Sequence, residues 1–316
     1  MDGNVLVTIV IVTYNFESII EDCLKSIENQ EYDGRNLEVI ISDDASTDRT
    51  IEVCKKWYEI NKNRFNIKIL TSLKNEGVTK NINKGVKIAK GEWIKVLAGD
   101  DILKKDAIKN FMNYKYLKEA EIIFSKAQTF KEENGIKIMK EIIPNQENEK
   151  FYFLSNQEKW DSLLEANNIV APAVILKKEL LKRMNYFDER FKMVEDWPFW
   201  IKLLKNGVKF HYYPIVTVYY RKSNFSVSGK NKLGKINKIM HDFKKEYYKY
   251  IYTYEVKSKI KKWNKWIELL REDIILRNNN KSNLLSQAIR LLDTRILKKY
   301  ILKIFLGEKD KNDEKK

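Results

Sequence analysis

The sequence predicts an α/β domain with a mostly parallel central sheet flanked by helices, followed by a basic helical region at the C-terminus. Over the first hundred residues, short β-branched apolar runs alternate with segments whose apolar residues recur at helical spacing. This alternation is typical of βαβ units and of a parallel sheet. Residues 1–229 hold 36 Lys/Arg against 33 Asp/Glu, whereas residues 230–316 hold 24 against 11. We therefore predict a domain at 1–229, a basic helical region at 230–306 and a disordered tail at 307–316.

The first four strands are predicted from apolar runs at 5–12, 37–42, 67–71 and 93–97. A helix over 17–28 is indicated by its apolar residues, which are Ile19, Ile20, Cys23, Leu24 and Ile27. Ser46, Thr47 and Asp48 offer N-cap chemistry for a second helix that runs to about Ile60. A third helix is predicted over 78–89, so that strands and helices alternate up to the fourth strand.

The pattern is less regular from residue 104 onward. Helices are predicted over 104–118, 160–165, 180–184 and 196–205, the last of them ending at Gly207. Strands are predicted over 122–125 and 173–177, and 209–221 is predicted as a closing strand or pair of strands. The charged stretch 131–150 is predicted to be irregular, with a hairpin or loop at 132–135.

Composition favours a globular protein in a reducing compartment. Hydrophobic residues make up 43% of the chain, which is enough for a substantial core. Cys23 and Cys54 have neither the spacing of a disulfide framework nor that of a cysteine metal site. The sequence has no run approaching 18 apolar residues, and its first apolar stretch is strand-sized and lacks a basic leader. We therefore expect no membrane span and no signal peptide, and a cytoplasmic protein.

Asp100 and Asp101 are the most informative residues in the chain. They follow the predicted buried strand at 93–97, and open α/β sheets bind ligands beyond the carboxyl ends of their strands. Two adjacent carboxylates repel each other and are costly to bury without a counter-ion. A divalent cation with oxygen ligands would resolve that cost. The alternative is a solvated turn, since Gly-Asp-Asp is good turn chemistry.

Three further polar segments fall where this layout predicts loops on the same rim of the sheet. Residues 12–17 follow the first strand, residues 42–46 follow the second, and Glu195-Asp196 begins a later helix. Each segment has a structural alternative, because acids before a helix can cap it or complement its dipole. The order and spacing of all four segments together favour a functional site.

With these motifs, the chain resembles family-2 glycosyltransferases, which are inverting enzymes with the GT-A nucleotide-sugar-binding fold. The resemblance is collinear over roughly residues 5–228 and rests on positions 7–15, 41–48, 75–77, 81, 85, 89–92, 98–101, 187–189, 195–196 and 220–221. It implies transfer of a sugar from a nucleoside-diphosphate sugar, most often a UDP-sugar, to an acceptor hydroxyl. The basic C-terminal region lies outside it.

The resemblance implies a set of donor-binding residues, which are Thr13, Tyr14, Glu17, Asp43, Lys80, Asn81, Asp100 and Arg221. Thr13 and Tyr14 would frame the base, and Asp43 would accept a hydrogen bond from it. Glu17 would reach the ribose, and Arg221 would bring charge to the phosphates. Asp44 is expected either in the site or as a cap of the helix that follows it.

The resemblance also implies the catalytic residues and a metal. Asp196 would be the base, because an inverting transfer needs one carboxylate to take the proton of the attacking hydroxyl. Glu195 is the alternative base. Asp101, with Asp100, would bind Mn²⁺ or Mg²⁺ on the diphosphate, where the metal acts as a Lewis acid for the leaving group.

Three positions depart from the family pattern. Ala98 stands where relatives often carry the first acid of an Asp-x-Asp-Asp motif, and Lys80 stands where they often carry Arg. Ser223 stands where they often carry a His that closes over the metal, and serine is a poor metal ligand. The two histidines of the chain, His211 and His241, are expected to be structural.

The basic region 230–306 interleaves aromatic and aliphatic residues with lysines at near-helical spacing. One interpretation is a set of helices that pack on each other or on the catalytic domain. A second is peripheral attachment to an anionic membrane, since Trp, Tyr, Leu and Lys suit an interfacial helix. Oligomerisation is a third. Nucleic-acid binding is the least favoured, because no recognised binding motif accompanies the charge.

The sequence thus predicts an inverting, metal-assisted glycosyltransferase of surface-polysaccharide, lipopolysaccharide or related glycan biosynthesis. The expected acceptor is a glycan or a lipid-linked glycan, and the expected location is the cytoplasm or the inner face of the plasma membrane. One alternative is a metal-dependent nucleotidyltransferase, which would carry a glycine-rich loop after the first strand. The other is a non-catalytic nucleotide-binding protein with a basic interaction tail, against which the intact Asp43, Asp101 and Asp196 argue.

Overall fold

The computed structural model describes residues 5–222 and 235–298. The chain forms two compact units, Met1–Ser223 and Asn224–Lys316. The predicted domain boundary at 229 and the predicted disordered tail at 307–316 lie outside the described residues.

In the described part of the first unit, one sheet contains nine strands. They are β1 (Val7–Thr13), β2 (Leu37–Asp43), β3 (Asn66–Thr71), β4 (Trp93–Ala98), β5 (Ile102–Leu103), β6 (Ile122–Glu133), β7 (Ile136–Ile143), β8 (Val174–Lys177) and β9 (His211–Arg221). Their order in the sheet is β3-β2-β1-β4-β8-β6-β9-β5, with β7 paired to β6.

The first four strands confirm the predicted parallel sheet. β1 pairs in parallel with β2 and β4, and β2 pairs in parallel with β3. Val7, Ile9 and Ile11 alternate along β1 and are fully buried in the main hydrophobic core. The intervening residues point to the other face, as the two-residue repeat of a strand requires. Both faces are thus covered, which is the usual state of a parallel sheet.

The rest of the sheet is mixed and was predicted less well. β8 runs antiparallel to β4 and β6, whereas β6 is parallel to β9. β6 and β7 form a hairpin that turns at Asn134 and Gly135, both with positive φ. The turn at 132–135 is confirmed, but the prediction of an irregular stretch at 131–150 is wrong. β7 is largely exposed, and Lys137, Lys140 and Glu141 interrupt its apolar residues, so it lacks the apolar run by which the other strands were found.

The helices of the first unit are α1 (Ile20–Glu28), α2 (Thr50–Asn61), α3 (Val78–Ile88), α4 (Ala107–Met112), α5 (Gln146–Glu149), α6 (Asn156–Glu165), α7 (Lys178–Arg183) and α8 (Asp196–Lys205). α4 is much shorter than the helix predicted over 104–118. Its start is shortened because residues 102–103 form β5 against β9 and the Lys104 N–H donates to Thr217 O.

Helix α3 lies unusually close to the sheet. A Cβ atom at Gly85 would come within 2.4 Å of Val10 Cγ1, so only glycine allows this approach. The close packing brings the first turn of α3 to the carboxyl ends of β1 and β2.

The second unit contains α9 (Lys238–Tyr247), a π-helical turn (Tyr248–Tyr252), α10 (Thr253–Glu255), α11 (Lys259–Arg277) and α12 (Leu284–Arg290). α11 contacts both α9 and α12. The buried residues of this unit include Phe243, Tyr247, Tyr252 and Ile267. His241 is buried and bonded to Glu272 and Asp273 (3.0 and 3.3 Å), which gives it the structural role that was predicted. Across residues 5–222 and 235–298, no helix combines the length and apolar character that crossing a bilayer requires.

Candidate active site

The carboxyl ends of three neighbouring strands are level with one another. The strand register places Thr13 opposite Asp43 and Val12 opposite Ala98. Backbone hydrogen bonds extend this contact into the loops, with Asp44 N donating to Thr13 O (3.0 Å) and Gly99 N donating to Val12 O (2.8 Å). The loops that follow β1, β2 and β4 therefore lie side by side at one edge of the sheet.

Side chains also join the loops after β1 and β2. Asn15 Oδ1 accepts a hydrogen bond from Thr47 N (2.8 Å), and Asp43 accepts hydrogen bonds from the backbone and side chain of Ser46. Glu17 accepts from Arg49 N (2.8 Å), so it supports the start of α2. Thr13 Oγ1 is buried without a hydrogen-bond partner among the described residues, and Tyr14 is exposed. Thr13 and Tyr14 are therefore free to contact a ligand, whereas Glu17 is already bonded.

Asp44 and Asn81 fix the position of α3. The Asp44 carboxylate accepts from Glu76 N (2.9 Å) and Gly77 N (2.8 Å), just before α3. The expectation that Asp44 caps the following helix, α2, is therefore corrected. Asn81 is buried and bonded through both amide atoms to Ser42, with distances of 2.7 Å. Its amide ties α3 to β2, and the donor contact that the resemblance implied stays a prediction.

The acid pair Asp100-Asp101 lies directly beyond β4. Asp101 is buried, with Oδ1 accepting from Arg221 N (2.9 Å) and Oδ2 lacking any hydrogen-bond partner among the described residues. Burial, together with the neighbouring charge of Asp100, raises the pKa of Asp101 well above its usual range. Burial also raises the pKa of Asp100. A buried acid with an unpartnered oxygen, next to a half-buried acid, makes a site that a cation would stabilise.

Arg221, at the end of β9, anchors the loop that carries Asp100 and Asp101, which we call the acid loop. Its Nε donates to Asp100 O (2.9 Å), its Nη2 donates to Asp22 Oδ2 (2.9 Å), and its Nη1 pairs with Glu132. The guanidinium lies 4.7 Å from the centre of the Phe130 ring. Its charge is thus balanced by two carboxylates in this structure, and a contact of Arg221 with donor phosphates stays a prediction.

Glu195 and Asp196 begin α8, as predicted. Asp196 Oδ2 accepts a hydrogen bond from Asn167 Nδ2 (2.8 Å). Burial raises the pKa of Asp196, and the Asn167 amide opposes that rise. Burial and the charge of Asp196 raise the pKa of Glu195 to about 8. The raised pKa of Glu195 favours its protonated form near neutral pH.

One cavity of about 200 Å³ joins the acid loop to the start of α8, because Asp101, Glu195 and Asp196 all line it. The remaining described lining is aliphatic or aromatic and includes Ala98 and Trp200. Asp43 does not line the cavity but lies one strand away. Asp101 and Asp196, predicted to share one site, thus line the same cavity, and their roles stay predictions.

Lys95 is a buried lysine beside this cavity. It lies on β4, is fully buried, and its Nζ donates to Val96 O (2.9 Å) and Pro172 O (2.5 Å). Burial lowers the pKa of Lys95 to about 7, and the nearby Asp101 charge opposes that shift. Because Val96 and Pro172 both line the cavity, Lys95 joins two of its walls.

The buried Lys95 gives a prediction about stability and pH. An unfolded lysine has a pKa of about 10.5, so between pH 7 and pH 10 the unfolded state binds more protons and stability should rise with pH. Between pH 7 and pH 10, this difference in proton binding should raise the free energy of unfolding by on the order of 4 kcal/mol. Lys95→Met should lack this rise in chemical denaturation, whereas the exposed control Lys55→Met should keep it. Equal pH dependence in the two variants would show that Lys95 is charged when folded.

Comparison with known proteins identifies the family. A model of glycosyl transferase family 2 matches residues 8–183, more than half of the chain. This protein belongs to glycosyltransferase family 2.

This family-2 glycosyltransferase is 31% identical over 207 residues to an uncharacterized glycosyltransferase of Methanocaldococcus jannaschii, a match that covers 65% of this chain and 67% of the relative. It is 29% identical over 227 residues to a UDP-Glc:alpha-D-GlcNAc-diphosphoundecaprenol beta-1,3-glucosyltransferase of Escherichia coli, which covers 71% of this chain and 80% of that one. Family membership sets aside the nucleotidyltransferase and the non-catalytic alternatives.

Solved structures confirm the GT-A fold of this glycosyltransferase. Staphylococcus aureus TarS in complex with UDP-GlcNAc superposes with a TM-score of 0.57 at 19% identity, covering 96% of this chain and 92% of that one. A Pyrobaculum calidifontis mannosyltransferase in complex with GDP-Man and Mn²⁺ gives a TM-score of 0.54 at 15% identity, and the match covers 94% of this chain and 75% of the mannosyltransferase.

The residues of this glycosyltransferase fit a divalent cation that is shared with a substrate. Within the described residues, no cluster of three or more His, Cys, Asp or Glu could hold a metal by itself. Asp101 nevertheless offers a buried, unpartnered oxygen, and Asp100 adjoins it. Oxygen ligands of this kind suit Mg²⁺ and Mn²⁺, which often complete their coordination with water and substrate phosphates.

Two residues near the site of this glycosyltransferase were not predicted. Asn167 lies between α6 and β8 in a polar turn that nothing in the sequence distinguishes from an ordinary loop. Lys95 did leave a signal, since a lysine in the middle of an otherwise apolar strand is unusual.

Three residues that the sequence analysis named lie elsewhere. Lys80 is partly exposed, and its Nζ lies 3.6 Å from Glu76 Oε1. His211 is buried against the rings of Tyr114 and Tyr116, and burial lowers its pKa. Ser223 lies outside the described residues.

Proposed function

We propose that this enzyme transfers a sugar, with inversion, from a nucleoside-diphosphate sugar to an acceptor hydroxyl. The observation that carries the proposal is the shared cavity of Asp101, Glu195 and Asp196 beyond the ends of the parallel strands. Such an edge is the usual ligand-binding position of an open α/β sheet. Asp101 would lie at the leaving diphosphate, and Asp196 would lie at the incoming hydroxyl.

Asp196 would act as the base. In a single displacement, the acceptor oxygen forms its bond to the anomeric carbon while its proton passes to Asp196 and the nucleoside diphosphate leaves. The hydrogen bond from Asn167 fixes Oδ2 of Asp196 at the wall of the cavity. The raised pKa of Asp196 makes it a better proton acceptor than an exposed carboxylate. Glu195, held neutral by burial, would orient the acceptor.

The nucleoside would lie across the loops after β1 and β2. Thr13 and Tyr14 have side-chain groups available there, and Asp43 adjoins Thr13 in the strand register. Glu17, Asn81 and Arg221 are bonded to protein groups, and so is Asp43, whose two oxygens accept from Ser46. We therefore leave all four out of the direct donor contacts, and Asp43 holds the loop beside Thr13. A UDP-sugar is the favoured donor, since the E. coli relative is named for UDP-Glc and the TarS complex contains UDP-GlcNAc.

Asp101 and Asp100 would hold a divalent cation together with the donor phosphates. Such a cation would supply positive charge to the leaving diphosphate as a Lewis acid. The chain itself keeps Asp101 in place through Arg221 N and shields Asp101 from bulk water.

The acceptor is proposed to be a growing glycan or a lipid-linked glycan. The E. coli relative is named for a diphosphoundecaprenol acceptor, and another relative, from Bacillus spizizenii, is a poly(ribitol-phosphate) beta-glucosyltransferase with 29% identity over 178 residues. A role in the biosynthesis of a surface polysaccharide would be consistent with both names.

A thermal-shift screen tests the donor. UDP, GDP, dTDP and their sugars would be added with and without Mn²⁺, and one nucleoside diphosphate is expected to raise the melting temperature more with Mn²⁺ than without it. No shift with any nucleotide would contradict the proposal.

We also propose that the second unit attaches the enzyme to an anionic membrane surface. Trp263 and Trp266 lie 5.3 Å apart on α11, and both are more than two-fifths exposed. Trp263 Nε1 donates to Leu292 O (3.0 Å), which places the exposed Leu291 and Leu292 beside the two indoles. We call Ile260, Trp263, Trp266, Leu291 and Leu292 the tryptophan face.

The charge around the tryptophan face favours a lipid partner. Lys257, Lys259 and Lys261 are exposed on or just before the same helix. Indoles and leucines favour the membrane interface, and each nearby lysine adds about 1 kcal/mol on an anionic leaflet. A cytoplasmic leaflet would also present a lipid-linked acceptor to the enzyme.

Removing both indoles should weaken membrane binding. Full-length protein is expected to sediment with phosphatidylglycerol vesicles, and Trp263→Ala/Trp266→Ala should lower the partition coefficient by about tenfold or more. Ile60→Ala, which removes an exposed apolar residue from α2, is the matched control. Equal binding by the double variant, or equal binding to neutral vesicles, would contradict the proposal. Loss of a dimer instead would assign the face to self-association.

A further inference from the structure

The floor of the active-site cavity is apolar. Along β4, Val96 and Ala98 point to the same face, and on β8 Val174 and Leu176 do the same. Val12 and Trp200 complete this surface. Within the described lining, the charged groups are Asp101, Glu195 and Asp196. We call Val12, Val96, Ala98, Val174, Leu176 and Trp200 the apolar floor.

The transferred sugar must lie at this cavity if the proposed function holds. The leaving diphosphate would be at Asp101 and the acceptor oxygen at Asp196, so the sugar ring that connects them lies between the two. Both carboxylates line the same cavity as the apolar floor. A substituent of the ring therefore enters the cavity, and the chemistry of the floor selects it.

The floor fits a methyl group better than a hydroxyl group. A buried hydroxyl loses its water and needs hydrogen-bond partners, which the five aliphatic side chains of the floor do not provide. The indole Nε1 of Trp200 is buried without a partner among the described residues; it can donate one hydrogen bond, which suits the carbonyl oxygen of an acetamido group, but it cannot accept one. A methyl group gains free energy from the same transfer. The cavity, at about 200 Å³, has room for a substituent of several atoms, since a water occupies about 30 Å³.

We propose that the donor sugar carries a methyl-bearing substituent, an acetamido or a deoxy-methyl group, which is bound by the apolar floor. This inference rests on the proposed function and specifies its substrate class. It also assigns a role to Ala98, because an aspartate there would put a third acid on the floor, whereas alanine keeps the floor apolar.

Matched donors test the inference directly. Release of nucleoside diphosphate by donor hydrolysis would be measured for UDP-glucose, UDP-N-acetylglucosamine and UDP-6-deoxyglucose. GDP-mannose and GDP-6-deoxymannose would cover a guanine-specific enzyme. One methyl-bearing donor is expected to exceed its parent hexose by about 10- to 100-fold in kcat/KM, and the preferred donor distinguishes acetamido from deoxy-methyl. Preference for the parent hexose in every matched set would overturn the inference.

Variants of Val96 test whether the apolar floor determines the preference for a methyl-bearing donor. Val96→Phe fills the floor and should remove the preference by lowering kcat/KM for the substituted donor more than for the parent hexose. Val96→Thr, of nearly equal size, should reduce the preference by adding a hydroxyl. Ile142→Thr on exposed β7 is the control and should keep it, and thermal unfolding verifies that each variant folds. Equal loss on both donors in folded Val96→Phe would overturn the inference. If no nucleotide sugar binds the wild type, the proposed function fails as well.

Discussion

Asp196→Asn is expected to lower kcat by about 10²- to 10⁴-fold while leaving nucleotide binding intact. Asparagine keeps the shape of the side chain but cannot take the proton of the acceptor hydroxyl, and a positioned general base contributes a factor of this size. Steady-state transfer assays would give kcat, and the nucleotide-induced thermal shift would report donor binding separately.

Glu195→Gln is the matched control for that variant. Because the pKa of Glu195 is raised to about 8, glutamine resembles its protonated form at neutral pH. Activity near pH 7 should therefore stay within about tenfold of wild type. A deep loss in Glu195→Gln with an active Asp196→Asn would assign the base to Glu195 instead.

Asn167→Ala tests how Asp196 is held. The Asn167 amide opposes the rise in the pKa of Asp196, so its removal should raise that pKa further. The acidic limb of the pH profile of kcat/KM would then move to higher pH. A loss of activity with an unmoved pH profile would give Asn167 a purely structural role.

Asp101→Asn is expected to abolish cation-dependent turnover and to make the fold more stable. Turnover should fall by about 10²- to 10³-fold, because the amide is a poor ligand for the cation that balances the diphosphate. The free protein should melt about 2–6 °C higher at pH 7, since the variant removes a buried, repelled charge but keeps an acceptor for Arg221 N.

The sign of the stability change follows from the raised pKa of Asp101. The folded wild type binds this proton more tightly than the unfolded chain does, so it loses stability as pH rises above about 3.9. Asp101→Asn should lack this loss. Asp106→Asn, which removes an acid outside the cavity, is the control. Unchanged turnover in Asp101→Asn would contradict the metal assignment, whatever its melting temperature.

The parallel half of the fold was predictable because its signals are local. β1, β2 and β4 are apolar runs within three residues of their predicted bounds, and α8 has the bounds that were predicted. β5 has two residues and exists only because β9 pairs with it, so no local pattern announces it. β7 is an exposed strand whose apolar residues do not form a run.

The site was predictable in its acids but not in their partners. A collinear motif marks Asp101 after β4 and Asp196 at the start of α8, and both acids line one cavity. The motif does not say which other groups a side chain bonds. Asn81 is engaged by Ser42 and Arg221 by Asp22 and Glu132, and these contacts join residues up to 199 positions apart. Such pairings depend on the completed fold.

The anchoring of Arg221 has a consequence for how this enzyme tolerates change. One side chain joins the acid loop, α1 and the tip of the β6–β7 hairpin through Asp100, Asp22 and Glu132. A substitution at the hairpin tip, which lies on an exposed edge, can therefore disturb catalysis without touching substrate. In a random mutational scan, Glu132 should consequently score as an activity-sensitive position although its surroundings resemble freely variable surface.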